Sequence, residues 1–238
     1  MELDTERVDK RLQVSSRDRK AVLFVAEQGF AMASQIWRVA WSDHQSPVYT
    51  RSRLLGLQRL GFLDSLKIES SACKIFRVTQ KGRNLVAGIS KNLLPTGSLS
   101  PSMAVHQLEL NEVRIELEAR GVSSWRSAES LLIDPTFEKL GGRHVPDGLY
   151  LTSKGVRTVV EYDRTMRKKE RIKERMSGYL VELMSPNRSF DRLIYLVSPM
   201  LERAYKALFE DELISVHDRA VLMTMPDFLN VLRDKKDE

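Results

Sequence analysis

The fold of the second half of the chain is decided by two stretches rich in β-forming residues, His144-Val145-Pro146-Asp147-Gly148-Leu149-Tyr150 and Arg157-Thr158-Val159-Val160-Glu161-Tyr162-Asp163-Arg164-Thr165. Ser153-Lys154-Gly155 lies between them and has the polar and glycine chemistry of a hairpin turn. In an antiparallel hairpin, the start of the first strand lies beside the end of the second. The sequence therefore predicts that Asp147 lies close to Glu161.

A cluster of carboxylates is expected at this end of the hairpin. Glu161 and Asp163 are two residues apart on one strand, so both side chains point to the same face. Together with Asp147 they repel one another unless a cation or a basic group lies among them. A divalent metal ion with oxygen ligands satisfies this requirement. The alternative interpretation is a polar hairpin end with solvated acids.

Length and composition narrow the class of protein. A chain of 238 residues is comfortable for two domains, and hydrophobic and charged contents of 42% and 29% predict packed cores rather than disorder. The formal net charge of +6 permits a polyanionic partner without demanding one. Cys73 is the only cysteine, which excludes a disulfide framework and a cysteine zinc site. No apolar run reaches the length of a membrane span and the N-terminus is charged, so we expect a cytoplasmic protein without a membrane partner.

The first half has the periodicity of three helices, a hairpin and a fourth helix. We predict helices over residues 17–28, 33–41 and 48–60, strands at 65–68 and 74–78 around a polar turn at 69–72, and a helix over 79–87. This order resembles a winged helix-turn-helix domain, most specifically at residues 57–63 and 76–83. The resemblance covers about residues 17–88 and implies DNA binding through the third helix and the wing.

The predicted third helix carries side chains suited to phosphates and to major-groove base edges, and the wing adds lysines for the backbone. The residues predicted to bind DNA in this half are Tyr49, Thr50, Arg51, Ser52, Arg53 and Arg59 on the helix, with Lys67 and Lys74 on the wing. The alternative is a winged helix used for protein contact, in which the arginines only solvate an outer face.

A segment rich in serine, proline, glycine and asparagine separates the two halves. We predict a flexible lead-in at residues 1–16, a winged helix-turn-helix domain at 17–90, a linker at 91–101 and a second domain at 102–238. The second domain is expected to contain, in order, a helix at 102–120, a short strand near 125–129, the hairpin, a basic helix to about residue 184, a strand at 192–198, a helix near 201–209, a strand at 220–225 and a helix at 226–232. The predicted fold class is α/β (α+β), with a central mixed sheet in the second domain.

The composition changes sharply after the hairpin. Between Arg164 and Arg175 there are seven basic residues and two acids. A charge run on a helix is usually a solvated face, but this one begins beside the predicted carboxylates, where a passing phosphate backbone accounts for it. The residues predicted to contact DNA here are Arg167, Lys168, Lys169 and Arg171.

The order of elements in the second domain resembles the restriction-endonuclease-like fold, the PD-(D/E)xK group. In this resemblance Asp147 matches the first acid, Glu161 matches the acid on the following strand, and Glu129 stands for the upstream acid that some members carry. The resemblance implies a site in which Asp147 and Glu161 bind Mg²⁺ or Mn²⁺.

The chain departs from this pattern at one position. Asp163 stands where the group has a lysine, which positions or polarises the attacking water. Lys168 or Lys169 would have to supply this function from the following helix. The opposite hypothesis is an inactive site, closed by an ion pair between Asp163 and Arg164.

Several short motifs give a narrower match. In chain order they are residues 106–114, 125–129, 146–148, 160–165 and 178–179. Together with the winged helix they resemble the replication-relaxation family of bacterial plasmids and mobile elements, over roughly residues 15–200. The resemblance implies a DNA-binding accessory protein in plasmid replication, DNA relaxation or transfer, with replication or conjugation proteins as partners.

Three functions stay open on the sequence. The first is a non-catalytic DNA-binding protein with a nuclease-like scaffold, which the missing lysine favours. The second is a Mg²⁺-dependent endonuclease that cleaves or nicks DNA, with Asp163 as a third ligand or a handicap. The third is a transcriptional regulator of its own element. A homodimer is also expected, because winged helices often read two half-sites of double-stranded DNA.

Overall fold

The computed structural model describes residues 13–43, 46–68, 74–94, 103–122, 124–132, 134 and 144–234. The chain divides into two compact units, Met1–Leu108 and Glu109–Glu238. The wing turn expected at residues 69–72, Cys73, and most of the expected lead-in and linker lie outside the described residues.

The first unit has the predicted order of helices, with a short additional strand. Its elements are α1 (Ser16–Gln28), β1 (Ala31–Met32), α2 (Ala33–Ala40), α3 (Pro47–Arg59), β2 (Leu63–Lys67), β3 (Lys74–Val78) and α4 (Gln80–Val86). Strand β3 lies between β1 and β2 and is antiparallel to both. The sequence did not predict β1, because two residues are too few to show an alternation.

Local hydrogen bonds fix the ends of these helices. A capping box begins α1: Ser15 Oγ accepts a hydrogen bond of 3.1 Å from the Asp18 N–H, and the Asp18 carboxylate accepts one of 2.8 Å from the Ser15 N–H. The helix ends at Gly29, whose φ of 76° is a conformation that favours glycine. Thr79 caps α4 by accepting a hydrogen bond of 3.1 Å from the Gly82 N–H.

The second unit is built on a five-stranded mixed sheet, which confirms the α/β fold class. Helix α5 (Ala104–Glu118) runs into this unit, followed by β4 (Arg126–Ser127), α6 (Ala128–Leu132), β5 (Gly148–Leu151), β6 (Arg157–Asp163), α7 (Lys169–Met184), β7 (Arg192–Val197), α8 (Glu202–Leu213), β8 (Ala220–Thr224) and α9 (Met225–Asp234). The strand order is β4-β5-β6-β7-β8. The first three strands are antiparallel neighbours, and β6, β7 and β8 are parallel.

Helices cover both faces of this sheet. Because side chains alternate along a strand, Val159 of β6 packs with α7 and α8, whereas Val160 packs with α5 and α9. On β7, Tyr195 and Leu196 divide between the two clusters in the same way. The odd-numbered residues of β6 therefore face α7 and α8.

Two elements are shorter than predicted. The basic helix α7 begins at Lys169, because residues 164–168 connect the end of β6 to it. The strand expected near residues 125–129 has only two residues and passes into α6. In the described part of the chain, no helix has the length and apolar character that crossing a membrane requires.

Candidate functional site

The hairpin of β5 and β6 brings the three predicted acids to one end of the sheet. Gly148 pairs with Val160, so Asp147 lies beside the last residues of β6. Asp147 Oδ2 accepts a hydrogen bond of 2.8 Å from the Tyr162 N–H, which holds this carboxylate against the strand. Glu161, on the same strand, is 1% exposed.

Glu161 and Asp163, hereafter the carboxylate pair, project from β6 toward α7 and are each 1% exposed. The basic group that lies between them is the guanidinium of Arg175, which α7 supplies. Arg175 forms an ion pair with Glu161 Oε1 and lies 3.2 Å and 3.3 Å from the two carboxylate oxygens of Asp163. Its side chain is 11% exposed. One internal cation therefore bridges both acids.

Glu161 has two further partners. His144 Nε2 lies 2.7 Å from Glu161 Oε2, and the Tyr179 hydroxyl donates a hydrogen bond of 2.7 Å to the same oxygen. The imidazole ring also packs edge-to-face on Tyr179, with 5.9 Å between the ring centroids. Both oxygens of Glu161 are thus engaged by side chains of the protein.

Asp163 is surrounded in the same way. Its Oδ2 accepts hydrogen bonds of 2.6 Å from the Tyr195 hydroxyl and 3.1 Å from the Tyr205 hydroxyl. Its Oδ1 accepts one of 2.5 Å from Arg167 Nε, four residues along the chain. With Arg175, four different side chains donate to this carboxylate.

These surroundings shift the two pKa values in opposite directions. Burial and the negative charge of Asp147 raise the pKa of Glu161, against the opposing effects of His144 and Arg175. Burial also acts to raise the pKa of Asp163, but the hydrogen bond from Tyr195 and the charges of the two arginines outweigh it. The pKa of Asp163 therefore lies below its ordinary value, and this group is held as a carboxylate.

A divalent metal ion does not fit this arrangement. Mg²⁺ and Mn²⁺ need carboxylate oxygens with free lone pairs and room for the ion. Of the two predicted ligands, Glu161 has a partner on both oxygens and Asp147 Oδ2 accepts from the Tyr162 N–H, while the Arg175 guanidinium fills the space between Glu161 and Asp163. Among the described residues, no group of three or more histidine, cysteine, aspartate or glutamate side chains is arranged to hold a metal ion.

A comparison with known protein families identifies the group to which this chain is related. The family model described as replication-relaxation matches residues 23–191 of the chain. The chain belongs to the replication-relaxation family. This membership links it to the replication or relaxation of plasmids and mobile elements. Neither the search of curated proteins nor the search of solved structures found a match.

In this member of the replication-relaxation family, no hydrogen bond or ion pair among the described residues joins the other predicted catalytic residues to the carboxylate pair. Lys168 and Lys169 are exposed, and neither forms an ion pair with Glu161 or Asp163 in the described residues. Glu129 lies on α6, where its Oε2 is buried with no hydrogen-bond partner among the described residues. The hypothesis of an ion pair between Asp163 and Arg164 is wrong, because the cations that pair with Asp163 are Arg167 and Arg175.

The residues predicted to bind DNA in the first unit have different surroundings. Arg51, Ser52, Arg59, Lys67 and Lys74 are exposed, Tyr49 and Arg53 are half-buried, and Thr50 is buried. The guanidinium of Arg53 forms an ion pair with Asp18, a carboxylate that is 0% exposed. This hydrogen-bonded pairing raises the pKa of Arg53. Arg53 therefore has a structural partner that its neighbour Arg51 lacks in the described residues.

Sequence reasoning missed the donors of the carboxylate pair: His144, Arg175, Tyr179, Tyr195 and Tyr205. A signal for Arg175 is nevertheless present. It lies three residues after Ile172 and four before Tyr179, within the apolar stripe of α7. A charged side chain in that stripe points into the core and requires a buried partner.

Proposed function

We propose that this protein is a DNA-binding accessory protein of a plasmid or mobile element, and that its second unit does not cut DNA. DNA binding and the absence of nuclease activity both go beyond membership of the family. The observation that carries the second is the position of Arg175 between Glu161 and Asp163.

Two-metal and one-metal nucleases use bound ions to activate water and to stabilise the charge that develops on the phosphate. Arg175 is a fixed cation, and it cannot ionise a water molecule as a metal ion does. The tyrosines that donate to the carboxylate pair are buried and the two acids are each 1% exposed, so little of either carboxylate is open to a water nucleophile. Lys168, the candidate for the missing lysine, is exposed to solvent instead. The site is therefore suited to holding the fold together rather than to hydrolysis.

DNA binding is supported by the first unit. The order of one helix, a short strand, two helices and a hairpin, with β3 between β1 and β2, is that expected of a winged helix. Helix α3 exposes Arg51, Ser52 and Arg59 to solvent. These side chains are suited to phosphates and to base edges in the major groove.

The hairpin of β2 and β3 in the first unit adds a second cationic position at its end. Lys67 and Lys74 are paired directly across β2 and β3, and both are exposed. Like charges on directly opposed residues destabilise a sheet. A phosphate group between the two ammonium groups relieves this repulsion, which fits a wing that lies against the DNA backbone.

The experiment measures binding and cleavage together. Supercoiled plasmid DNA is incubated with the protein and Mg²⁺ or Mn²⁺, and the products are separated by gel electrophoresis. We expect DNA that is retarded but intact. Nicked or linear DNA that disappears in Asp147→Ala and Glu161→Ala would overturn the non-catalytic assignment.

A pair of double variants tests the DNA-binding surface. Arg51→Gln/Arg59→Gln is expected to weaken binding to the plasmid by roughly tenfold or more, since each cation that no longer neutralises a phosphate reduces counterion release. Lys20→Gln/Lys91→Gln changes the charge equally at exposed positions of the same unit and is the control. Equal effects of the two double variants would show that helix α3 is not the binding surface.

A further inference from the structure

The segment between β6 and α7 forms a strongly cationic surface in the second unit. Every residue from 164 to 171, hereafter the basic segment, is exposed. It carries one acid, Glu170, and five cations, which are Arg164, Arg167, Lys168, Lys169 and Arg171. Four of these cations have no ion-pair partner among the described residues, Arg167 being the exception. Their mutual repulsion is unfavourable until an anion is bound.

The carboxylate pair determines where this segment lies. The segment leaves the sheet at Asp163, which is buried, and Arg167 Nε returns to Asp163 Oδ1 at 2.5 Å. Helix α7 begins two residues later and supplies Arg175 to the same carboxylate. The segment is therefore tied at both ends to one buried acid, which reduces the entropy that it loses on binding a partner.

Chemistry favours the DNA backbone as this partner. The basic segment itself contains no aromatic or amide residue, and its flexible lysine and arginine side chains suit phosphate groups. A membrane surface would also attract cations, but it requires an apolar face that inserts among the lipids. The segment offers only one large apolar side chain, Met166, which is 53% exposed.

We propose that the basic segment binds the phosphate backbone of duplex DNA, and that Asp163 is a positioning residue which acts through Arg167. The inference rests on the proposed function, because it assumes that the protein binds DNA. The buried carboxylates of the nuclease-like site then position a cationic loop against DNA, and no reaction takes place at them.

The salt dependence of binding tests the first part. Binding to a fluorescein-labelled 24-base-pair duplex of mixed sequence is measured from about 50 to 300 mM NaCl, because the slope of log K against log salt changes by about 0.9 for each phosphate that the protein neutralises. Lys168→Gln/Lys169→Gln is expected to reduce the slope by up to about 1.8. The control, Lys154→Gln/Arg192→Gln, removes two exposed charges at the opposite end of β6 and β7 and is expected to leave the slope unchanged.

A comparison of single variants tests the positioning role. Arg167→Gln and Lys168→Gln each remove one charge, but loss of Arg167 also releases the segment from Asp163. We expect a larger decrease in slope for Arg167→Gln than for Lys168→Gln, and partial recovery in Arg167→Lys, which keeps the charge. Thermal melts of all variants establish that the fold is retained, since Asp163 keeps Arg175 and two tyrosines as donors.

The outcomes separate this inference from the proposed function. Wild-type protein that fails to bind the duplex even in 50 mM NaCl would overturn both. Wild-type binding with equal slopes for the segment variants and their controls would overturn only the inference. Equal effects of Arg167→Gln and Lys168→Gln would overturn the role of Asp163. If the segment variants bound vesicles of anionic lipid more weakly than the wild type but bound DNA equally well, the partner would be a membrane and the assignment to DNA would be overturned.

Discussion

Arg175 and Glu161 form an ion pair inside the second unit, with side chains that are 11% and 1% exposed. Removing two charges from water is costly, and their attraction offsets that cost only where further hydrogen bonds satisfy both groups. Here Tyr179 and His144 contact the second oxygen of the Glu161 carboxylate, and the Arg175 guanidinium also pairs with Asp163. The arrangement is stable as a whole and sensitive to the loss of any one charge.

Arg175→Gln is expected to lower the free energy of unfolding by about 3–5 kcal/mol, because it leaves the buried carboxylate of Glu161 without its arginine. Urea denaturation measures the loss. Arg171→Gln, whose side chain is exposed in the first turn of α7, is the control and is expected to change stability by less than about 0.5 kcal/mol. Similar losses in both variants would contradict a structural role for Arg175.

Metal ions should distinguish the wild-type protein from a variant without this guanidinium. We expect millimolar Mn²⁺ to leave the melting temperature of the wild type unchanged, because Arg175 already bridges the carboxylate pair. In Arg175→Ala, Glu161 lies near Asp147 without its arginine, so Mn²⁺ is expected to raise the melting temperature by binding only the folded state. Arg175→Ala/Glu161→Gln is the control that should lose this response. A wild type that Mn²⁺ stabilises strongly would show that a metal can displace the arginine.

The decrease in the free energy of unfolding at acidic pH should depend on Asp163. Its pKa in the folded protein lies below the ordinary value of 3.8, so the unfolded chain binds more protons as the pH falls past that value. Stability from this group is therefore complete above its unfolded pKa and is lost as the pH falls through its folded pKa. We expect the free energy of unfolding to decrease less steeply between about pH 4 and pH 2 in Asp163→Asn than in the wild type. Identical slopes would mean that Asp163 does not titrate differently in the two states.

Gly148 is expected to be intolerant of a side chain. A Cβ atom at this position would lie 2.3 Å from the ring of Trp125, which is 4% exposed and has little room to move. Gly148→Ala should therefore lower stability by about 1–3 kcal/mol. Gly178→Ala in α7 is the matched control, because its Cβ would meet no atom of another described element within 4 Å and alanine is the better helix former. Stability that is unchanged in Gly148→Ala would show that the strand and the indole can separate without cost.

Much of this fold was accessible from the sequence because its signals are local. The turn at Ser153-Lys154-Gly155 and the alternation along β6 predicted that Asp147 and Glu161 are neighbours, and the hairpin register agrees. The nature of the cation was not accessible in this way. In the sequence, Arg175 belongs to a run of charges that resembles a solvated face; its place in the apolar stripe indicates burial, but only the packing of α7 on the sheet shows that it pairs with Glu161 and Asp163. The tyrosine donors on β7 and α8 likewise depend on contacts between elements distant in sequence.

Arg51 and Arg53 present the same difficulty within a single helix and lead to opposite expectations. Arg53 neutralises Asp18, which is 0% exposed, so Arg53→Gln should lower the free energy of unfolding by about 3 kcal/mol. Arg51 is exposed, so Arg51→Gln should change stability by less than about 0.5 kcal/mol while weakening binding to DNA. Urea denaturation and duplex titration of the two variants, which differ only in the position of the removed charge, measure both properties. If Arg53→Gln were as stable as the wild type and bound DNA less tightly, Arg53 would belong to the DNA-binding surface and the pairing with Asp18 would be incidental.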